Sequence, residues 1–328
     1  MLGWALLLAA SLIWPAATAA QPASPPLILE AKIPLGEVSG RIDHLGIDGK
    51  RQRLFVAELG NNSVGVVDLA TGKVLRRITG MSEPQGVAYV PFADSVFVAN
   101  AGDGSVRVLR GEDLTPTGRI ELGDDADNVR VDAAHNRVLV GYGKGALAMI
   151  DPASRSKTSD IRLKGHPESF QIDKPGNQVF VNVPEAREVT VVDLAAMGSQ
   201  SLATQGLGSN FPMAIDPEGH QVLVVFRSPP TLMALSTPNG RIKAKVATCS
   251  DADDVLVDAK RRRVYVSCGE GVVDVFEYEK AGYRRVARVR TVSGARTSLF
   301  APELDRLFVA ARARSSEPAA IWVFRPAP

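Results

Sequence analysis

A four-residue strand pattern recurs seven times along this chain at nearly constant spacing. Its copies, RLFV, SVFV, RVLV, QVFV, QVLV, RVYV and RLFV, begin at positions 53, 95, 137, 178, 221, 263 and 306. Successive copies therefore lie 41 to 43 residues apart. A fixed period of this length is typical of repeat architectures, in which each unit packs on its neighbours. It favours one repeat domain over the two or three domains that 328 residues would otherwise allow.

Each repeat contains four short strand-like runs separated by turn residues. In the first repeat these runs cover 43–48, 53–58, 63–68 and 74–78, and the turns between them contain Gly and Asn. Four antiparallel strands in about 42 residues make one propeller blade. We therefore predict an all-β fold, a seven-bladed β-propeller with four antiparallel strands per blade.

The two ends of the chain complement each other. The seventh repeat has only three strand-like runs, and a spare run, LILEAKIPL, lies at 27–35. An open sheet edge is an aggregation site, so a propeller needs a closing strand. We predict that 27–35 pairs with 320–325 as the outer strand of blade seven, which makes 27–328 a single domain.

The first 20 residues resemble a secretory signal peptide. Residues 2–13 form an apolar stretch of signal-peptide length, Pro15 interrupts it, and the small residues 17–19 supply a cleavage pattern. We expect 21–26 to be a tether and the mature protein to be periplasmic or secreted, with no transmembrane segment after cleavage. An uncleaved apolar N-terminal anchor is the alternative.

Two repeats carry a recognisable motif. The second contains VFVAN at 96–100 followed by GDGSVRV at 102–108, and the first contains LFVA at 54–57 followed by NNSVGVVDLATGKV at 61–74. These segments resemble the repeat of the YVTN β-propeller family, the YncE-like exported propellers. The resemblance is strong in blades one and two and moderate in blades four and six. It implies a seven-bladed, usually exported propeller and transfers no catalytic residue to this chain.

The charge of the chain is nearly balanced. There are 38 basic and 36 acidic residues, a formal net charge of +2, so nothing draws the whole protein to nucleic acid or anionic membranes. Basic residues gather at 260–263 and at 284–290, but aromatic residues do not interleave with them as a single-strand groove requires. No specific nucleic-acid signature is present, and a polyanion-binding module is only a third hypothesis.

One end of the predicted ring collects polar residues. The loops that enter the inner strands and the loops after the second strands face the same end of a propeller. The entry loops are acidic although the chain is not. We predict the following ligand-binding residues at this channel mouth: Asp43, His44, Glu83, Asp127, Asn128, His166, Glu168, Asp253, Arg227 and Arg296.

This residue set allows several kinds of chemistry. Carboxylates beside imidazoles can hold a divalent cation or supply a general base. The candidate metal ligands are Asp43, His44, Glu83, Asp127 and His166. Acids facing arginines would suit a zwitterionic ligand of mixed charge. The alternatives are that salt bridges neutralise the two sets, or that the polar residues cap a water-filled channel.

The chain has two cysteines, Cys249 and Cys268. Cys249 lies just before an inner strand and Cys268 ends the following strand, so both reach the same end of one hairpin. We predict a disulfide, which would stabilise the fold by roughly 3 kcal/mol for a closed loop of about 20 residues. Metal binding by the pair is not favoured, because no CxxC spacing is present.

Known catalytic motifs are absent. The sequence lacks a haem-attachment CxxCH, a Walker A motif, a GxSxG elbow, an HExxH motif and a dinucleotide fingerprint. We therefore expect no resident cofactor, with a divalent cation as the one candidate, and a scaffold that binds an unknown ligand or protein partner in the periplasm. The alternative is a metal-assisted hydrolase or lyase of the lactonase type. It would use carboxylates among Asp43, Glu83, Asp127, Glu168 and Asp253, with His44 or His166 as base.

Overall fold

The computed structural model describes residues 25–173, 177–280, 282–315 and 317–328. In these ranges the chain forms 28 β-strands and three 3-10 turns, and none of the described residues is α-helical. The strands build seven separate four-stranded sheets. The predicted signal peptide, 1–20, and residues 21–24 of the tether lie outside the described residues.

Six blades each use four consecutive strands, ordered from the inner to the outer edge. Blade one consists of β2 (Leu45–Asp48), β3 (Arg53–Glu58), β4 (Ser63–Asp68) and β5 (Lys73–Thr79). Blade two consists of β6 (Pro84–Val90), β7 (Ser95–Asn100), β8 (Ser105–Arg110) and β9 (Pro116–Glu121). Blade three consists of β10 (Ala126–Asp132), β11 (Arg137–Tyr142), β12 (Ala146–Asp151) and β13 (Ser156–Arg162). Blade four consists of β14 (Phe170–Asp173), β15 (Gln178–Val183), β16 (Glu188–Asp193) and β17 (Gly198–Ala203). Blade five consists of β18 (Gly208–Asp216), β19 (Gln221–Ser228), β20 (Pro230–Ser236) and β21 (Ile242–Ala247). Blade six consists of β22 (Ala252–Asp258), β23 (Arg263–Cys268), β24 (Val272–Glu279) and β25 (Gly282–Arg290).

Blade seven joins the two ends of the chain. Its inner strands are β26 (Ser298–Ala301), β27 (Arg306–Ala311) and β28 (Ala319–Pro326), and its outer strand is β1 (Leu27–Gly36). The antiparallel register of β1 and β28 places Ile33 opposite Ile321. The seven-bladed all-β fold and its closure by the N-terminal strand are therefore confirmed. The seventh sheet is complete only when both ends of the sequence are present.

The recurring four-residue pattern is buried on both faces because each second strand lies between two neighbouring blades. In β3, Leu54 and Val56 pack into a cluster with blade seven, which includes Phe308. The alternate residue Phe55 packs with Val96 of blade two. Successive side chains of a strand point to opposite faces, so one strand serves two interfaces and reads as a continuous apolar run. Outer strands such as β17 are largely exposed.

Arginines in turns at the end opposite the mouth join adjacent blades. Arg261 of blade six donates to Asp258 Oδ2 at 3.0 Å and to Asp305 Oδ1 of blade seven at 2.6 Å, and its Nε donates to the Ala327 carbonyl. Arg263 also donates to the Ala327 carbonyl, at 2.7 Å. Two arginines of the basic segment 260–263 therefore bind blade seven and the carbonyl of Ala327, and these contacts occupy their guanidinium groups.

Candidate functional site

The inner strands bring most of the predicted entry-loop residues together at one end of the ring, which we call the mouth. Within it we define the carboxylate–histidine cluster as the two histidines and the six carboxylate or amide residues around them. Its members are Asp43, His44, Asp125, Asp127, Asn128, His166, Glu168 and Asp254. They come from blades one, three, four and six, so the cluster exists only in the closed ring.

His44 lies between carboxylates of two blades. Its Nε2 is 3.6 Å from Asp43 Oδ1, and its Nδ1 is 3.8 Å from Asp254 Oδ1. Burial disfavours the charged imidazole, but the carboxylates of Asp43 and Asp254 raise the pKa of His44 above its usual value. The ring also lies 3.3 Å from the amide nitrogen of Asn128. The two aspartates therefore favour the protonated form of the half-buried His44 imidazole.

His166 holds a similar position in blade four. Its Nδ1 donates to the carbonyl of Gly143 at 2.6 Å and lies 3.5 Å from Asp125 Oδ2. Its Nε2 is 3.7 Å from Asp127 Oδ2, beyond hydrogen-bond distance, so that attraction is Coulombic. Burial opposes protonation, yet Asp127, the Gly143 carbonyl and Asp125 together raise the pKa of His166 to about 9. At neutral pH this imidazole is protonated and cannot accept a proton as a general base.

Two acids of the cluster titrate near neutral pH. Burial, reinforced by the charge of Asp127, raises the pKa of Glu168 to about 7. Burial also raises the pKa of Asp254 to about 7, although its Oδ2 accepts a hydrogen bond from the Ser298 backbone N–H at 2.7 Å. Among the described residues, the side chain of Glu168 has no hydrogen bond or ion pair. Its protonation is therefore sensitive to anything that enters the mouth.

Arg130 is a member of the mouth that sequence reasoning missed. It projects from β10, where it donates to the Val129 carbonyl at 3.0 Å and stacks 5.6 Å from the ring centroid of Phe170. No carboxylate of the described residues lies within ion-pair distance of it, and burial lowers its pKa. Residues two apart on a strand share a face, so the predicted position of Asn128 could have indicated Arg130 as well.

The two arginines predicted at the mouth are paired with aspartates. Arg227 Nη2 lies 2.5 Å from Asp253 Oδ1, and its guanidinium is 4.0 Å from the ring centroid of Phe211. Arg296 lies 2.8 Å from Asp251 and 2.7 Å from Asp253. At this position salt bridges pair the arginines with acidic residues. Two guanidinium groups and two carboxylates form one network between blades five, six and seven.

Glu83 does not join the cluster. It is exposed, has a positive φ of 49°, and its backbone N–H donates to the side chain of Asn62. Its turn carries the side chain outward at the rim of the mouth. The five candidate metal ligands are also not assembled into one centre. Within residues 25–173, 177–280, 282–315 and 317–328, no three His, Cys, Asp or Glu side chains form a group that could hold a metal ion.

The cysteine pair lies beside this network. The sulfur atoms of Cys249 and Cys268 are 1.95 Å apart and their Cα atoms 5.9 Å apart, which is disulfide distance, as predicted. Both residues are buried. Cys249 begins the loop that carries Asp251 and Asp253, so the cross-link ties this loop to the end of β23.

Seven four-stranded blades closed by β1 make this chain a seven-bladed β-propeller. A chain of hydrazine synthase from Kuenenia stuttgartiensis has a similar fold, with a TM-score of 0.74 and 17% identity over 96% of this chain and 99% of that chain. A chain of a mitotic checkpoint complex gives a TM-score of 0.78 and 12% identity over 97% of this chain and 98% of that chain. At such identities the likeness shows the fold alone.

Sequence comparisons add no family. No protein-family model matches the chain, and no curated protein matches it in sequence. In the part of the chain that the structure describes, no helix is long and apolar enough to cross a membrane.

Proposed function

We propose that this protein is an exported, non-catalytic propeller that binds a ligand or a protein partner bearing both charge signs at its mouth. The observation that carries the proposal is the concentration of incompletely paired ionisable groups in one opening. Among the described residues, Glu168 and Arg130 lack ion-pair partners there, and the buried Oδ1 of Asn128 accepts no hydrogen bond. Burying such groups costs folding free energy, and they concentrate at functional sites.

The raised pKa values of the two histidines favour binding over catalysis. The lactonase-type alternative needs His44 or His166 as a base, but neighbouring carboxylates raise the pKa of both. It also needs a divalent cation, and the candidate ligands do not converge among the described residues. Glu168, with a pKa of about 7, is the acid that could still serve proton transfer. Binding of a charged ligand requires neither a histidine base nor a divalent cation.

Two observations support export and membership of the YVTN-repeat propellers. The motif segments at 54–57 and 61–74, on which the resemblance rests, lie in β3 and from β4 to the start of β5. The cysteine pair lies at disulfide distance, and disulfides persist mainly in oxidising compartments.

The proposal is tested by screening zwitterionic compounds, such as amino acids and short peptides, for an increase in thermal stability. Native mass spectrometry of protein purified without denaturation identifies co-purifying ligands in parallel. We expect a ligand whose affinity falls in the Glu168→Gln variant. Glu218→Gln, at an exposed position at the opposite end, is the matched control. The proposal fails if no charged compound binds, or if both variants lose binding equally.

A further inference from the structure

A second recess at the mouth has a composition unlike that of the carboxylate–histidine cluster. A cavity of about 200 Å³ lies between blades six, seven and one, and Arg41, Asp251, Arg296 and Arg312 supply its charged lining. A more open recess shares Arg41 and Arg312 with it and adds Arg314. We call the inner cavity the arginine pocket.

The guanidinium of Arg312 is the free charge of this pocket. Among the described residues it has no hydrogen bond and no ion pair. Its Nε, Cζ and Nη2 atoms lie against Gly294, which has a φ of +83°, and a Cβ at that position would overlap the guanidinium. The exposed side chain of Arg312 therefore rests on bare backbone, and its donors make no hydrogen bond within the described residues.

The remaining charges leave the pocket positive. Arg41 directs one Nη at Asp43, 2.5 Å away, and Arg296 is occupied by Asp251 and Asp253. Asp251 is the one carboxylate among the residues described as lining the cavity, against three guanidinium groups. Because Asp251 is shared with Arg227 and Arg296, it does not neutralise Arg312.

We infer that the arginine pocket binds an oxyanion, the carboxylate or phosphoryl group of a small ligand, through Arg312 with support from Arg41. A guanidinium presents parallel N–H donors that match two oxygens of such a group. The cavity volume suits a head group rather than a chain. This inference rests on the proposed function, because it identifies where the anionic end of a mixed-charge ligand is held.

The test uses inorganic phosphate and malonate as separate probes, titrated by calorimetry into the full mature protein at ionic strength held constant with sodium chloride. We expect at least one anion to bind more tightly than chloride. Arg312→Gln should weaken it about tenfold or more, because hydrogen bonds to charged groups contribute most. Arg312→Lys keeps the positive charge but loses the paired N–H donors, so its affinity for the anion should lie between those of the wild type and Arg312→Gln.

Arg241→Gln is the matched control. Arg241 is also exposed and has no side-chain bond among the described residues, but it lies in a turn at the opposite end. Thermal unfolding of each variant checks that it folds. A preference for phosphate or malonate assigns the class of head group. The inference is overturned if neither anion outcompetes chloride, or if Arg312→Gln and Arg241→Gln behave alike.

The outcomes separate this inference from the proposed function. If a zwitterion binds in a Glu168-dependent manner while neither anion binds, the arginine pocket is wrong and the proposed function stands. If the anions bind through Arg312 while no mixed-charge compound is found, the pocket stands and the wider proposal is wrong.

Discussion

The mouth contains two regions that differ in how far their charged groups are neutralised by neighbours. The carboxylate–histidine cluster is acidic in sequence, but His166 has a pKa of about 9, and the pKa values of Glu168 and Asp254 are raised to about 7, so part of its negative charge is cancelled. The arginine pocket has fewer charged residues, yet the guanidinium of Arg312 has no carboxylate partner among the described residues. The comparison teaches that the free charge of a site depends on which groups lack a partner, and composition does not report that.

The loop carrying Asp251 and Asp253 separates the regions. Its two carboxylates bind Arg227 and Arg296, so they hold these arginines away from a ligand while leaving Arg312 free. Cys249 begins this loop and joins it to Cys268. The difference between the regions therefore depends on a short loop with a covalent anchor.

Releasing that anchor should have the largest effect on stability. We expect the double substitution Cys249→Ser and Cys268→Ser to destabilise the protein by roughly 3 kcal/mol, since the cross-link closes a loop of 19 residues' separation. Urea unfolding under non-reducing conditions measures this. Reduced wild-type protein is the control, and it should match the double variant. Equal stability of oxidised wild type and variant would contradict the prediction.

Removing one brace of the loop should have the next effect. Arg296→Gln leaves Asp251 and Asp253 with Arg227 alone, and we expect a loss of roughly 1–3 kcal/mol because charged partners become unsatisfied in a half-buried site. Urea unfolding compares it with Arg241→Gln at the opposite end. A change of the same size in both variants would show that the network does not hold the loop.

The cluster predicts an effect that appears only at high pH. The pKa of Glu168 is raised by burial to about 7, so its contribution to stability is present below its unfolded pKa and is lost as pH rises through about 7. Glu168→Gln should therefore be more stable than wild type at pH 8, by roughly 1–3 kcal/mol, and not at pH 4. Thermal unfolding across this range measures it. A difference that does not vary with pH would exclude titration of Glu168 as its cause.

Divalent cations should have the smallest effect. Because the candidate ligands do not converge among the described residues, we expect calcium, zinc and manganese to leave the melting temperature unchanged within about one degree. Protein treated with a chelator and then dialysed is the starting material. A saturable stabilisation that Asp127→Asn abolishes would instead support the metal-assisted hydrolase.

Much of the fold was predictable because it depends on local, repeated rules. The 41- to 43-residue spacing follows from the size of a blade, and the central residues of β3 and β7 are apolar because each strand lies between two neighbouring blades. Closure by β1 was predictable because the seventh repeat lacks a strand that the N-terminus supplies. Antiparallel connectivity also sets which loops share an end, so His44, Asp127 and His166 could be assigned to one opening.

The properties of that opening were not predictable in the same way. Glu83 and Glu168 are both glutamates in entry loops, yet one is exposed at the rim and the other is buried enough to titrate near pH 7. Arg227 lies at the end of the second strand of blade five and Arg312 just after that of blade seven, yet one is paired and the other is not paired among the described residues. Arg130 lies within β10, beyond the entry loop in which polar residues at this end are expected.

The sequence by itself determined the number of blades, the strand that closes the ring and the end at which polar residues collect. Each depends on periodicity or chain direction, which are properties of neighbours along the chain. Only the tertiary structure decided which side chains neutralise one another and which carry free charge. Both properties depend on distances of a few ångströms and on burial between blades. The interacting residues can be as far apart in sequence as His44 and Asp254.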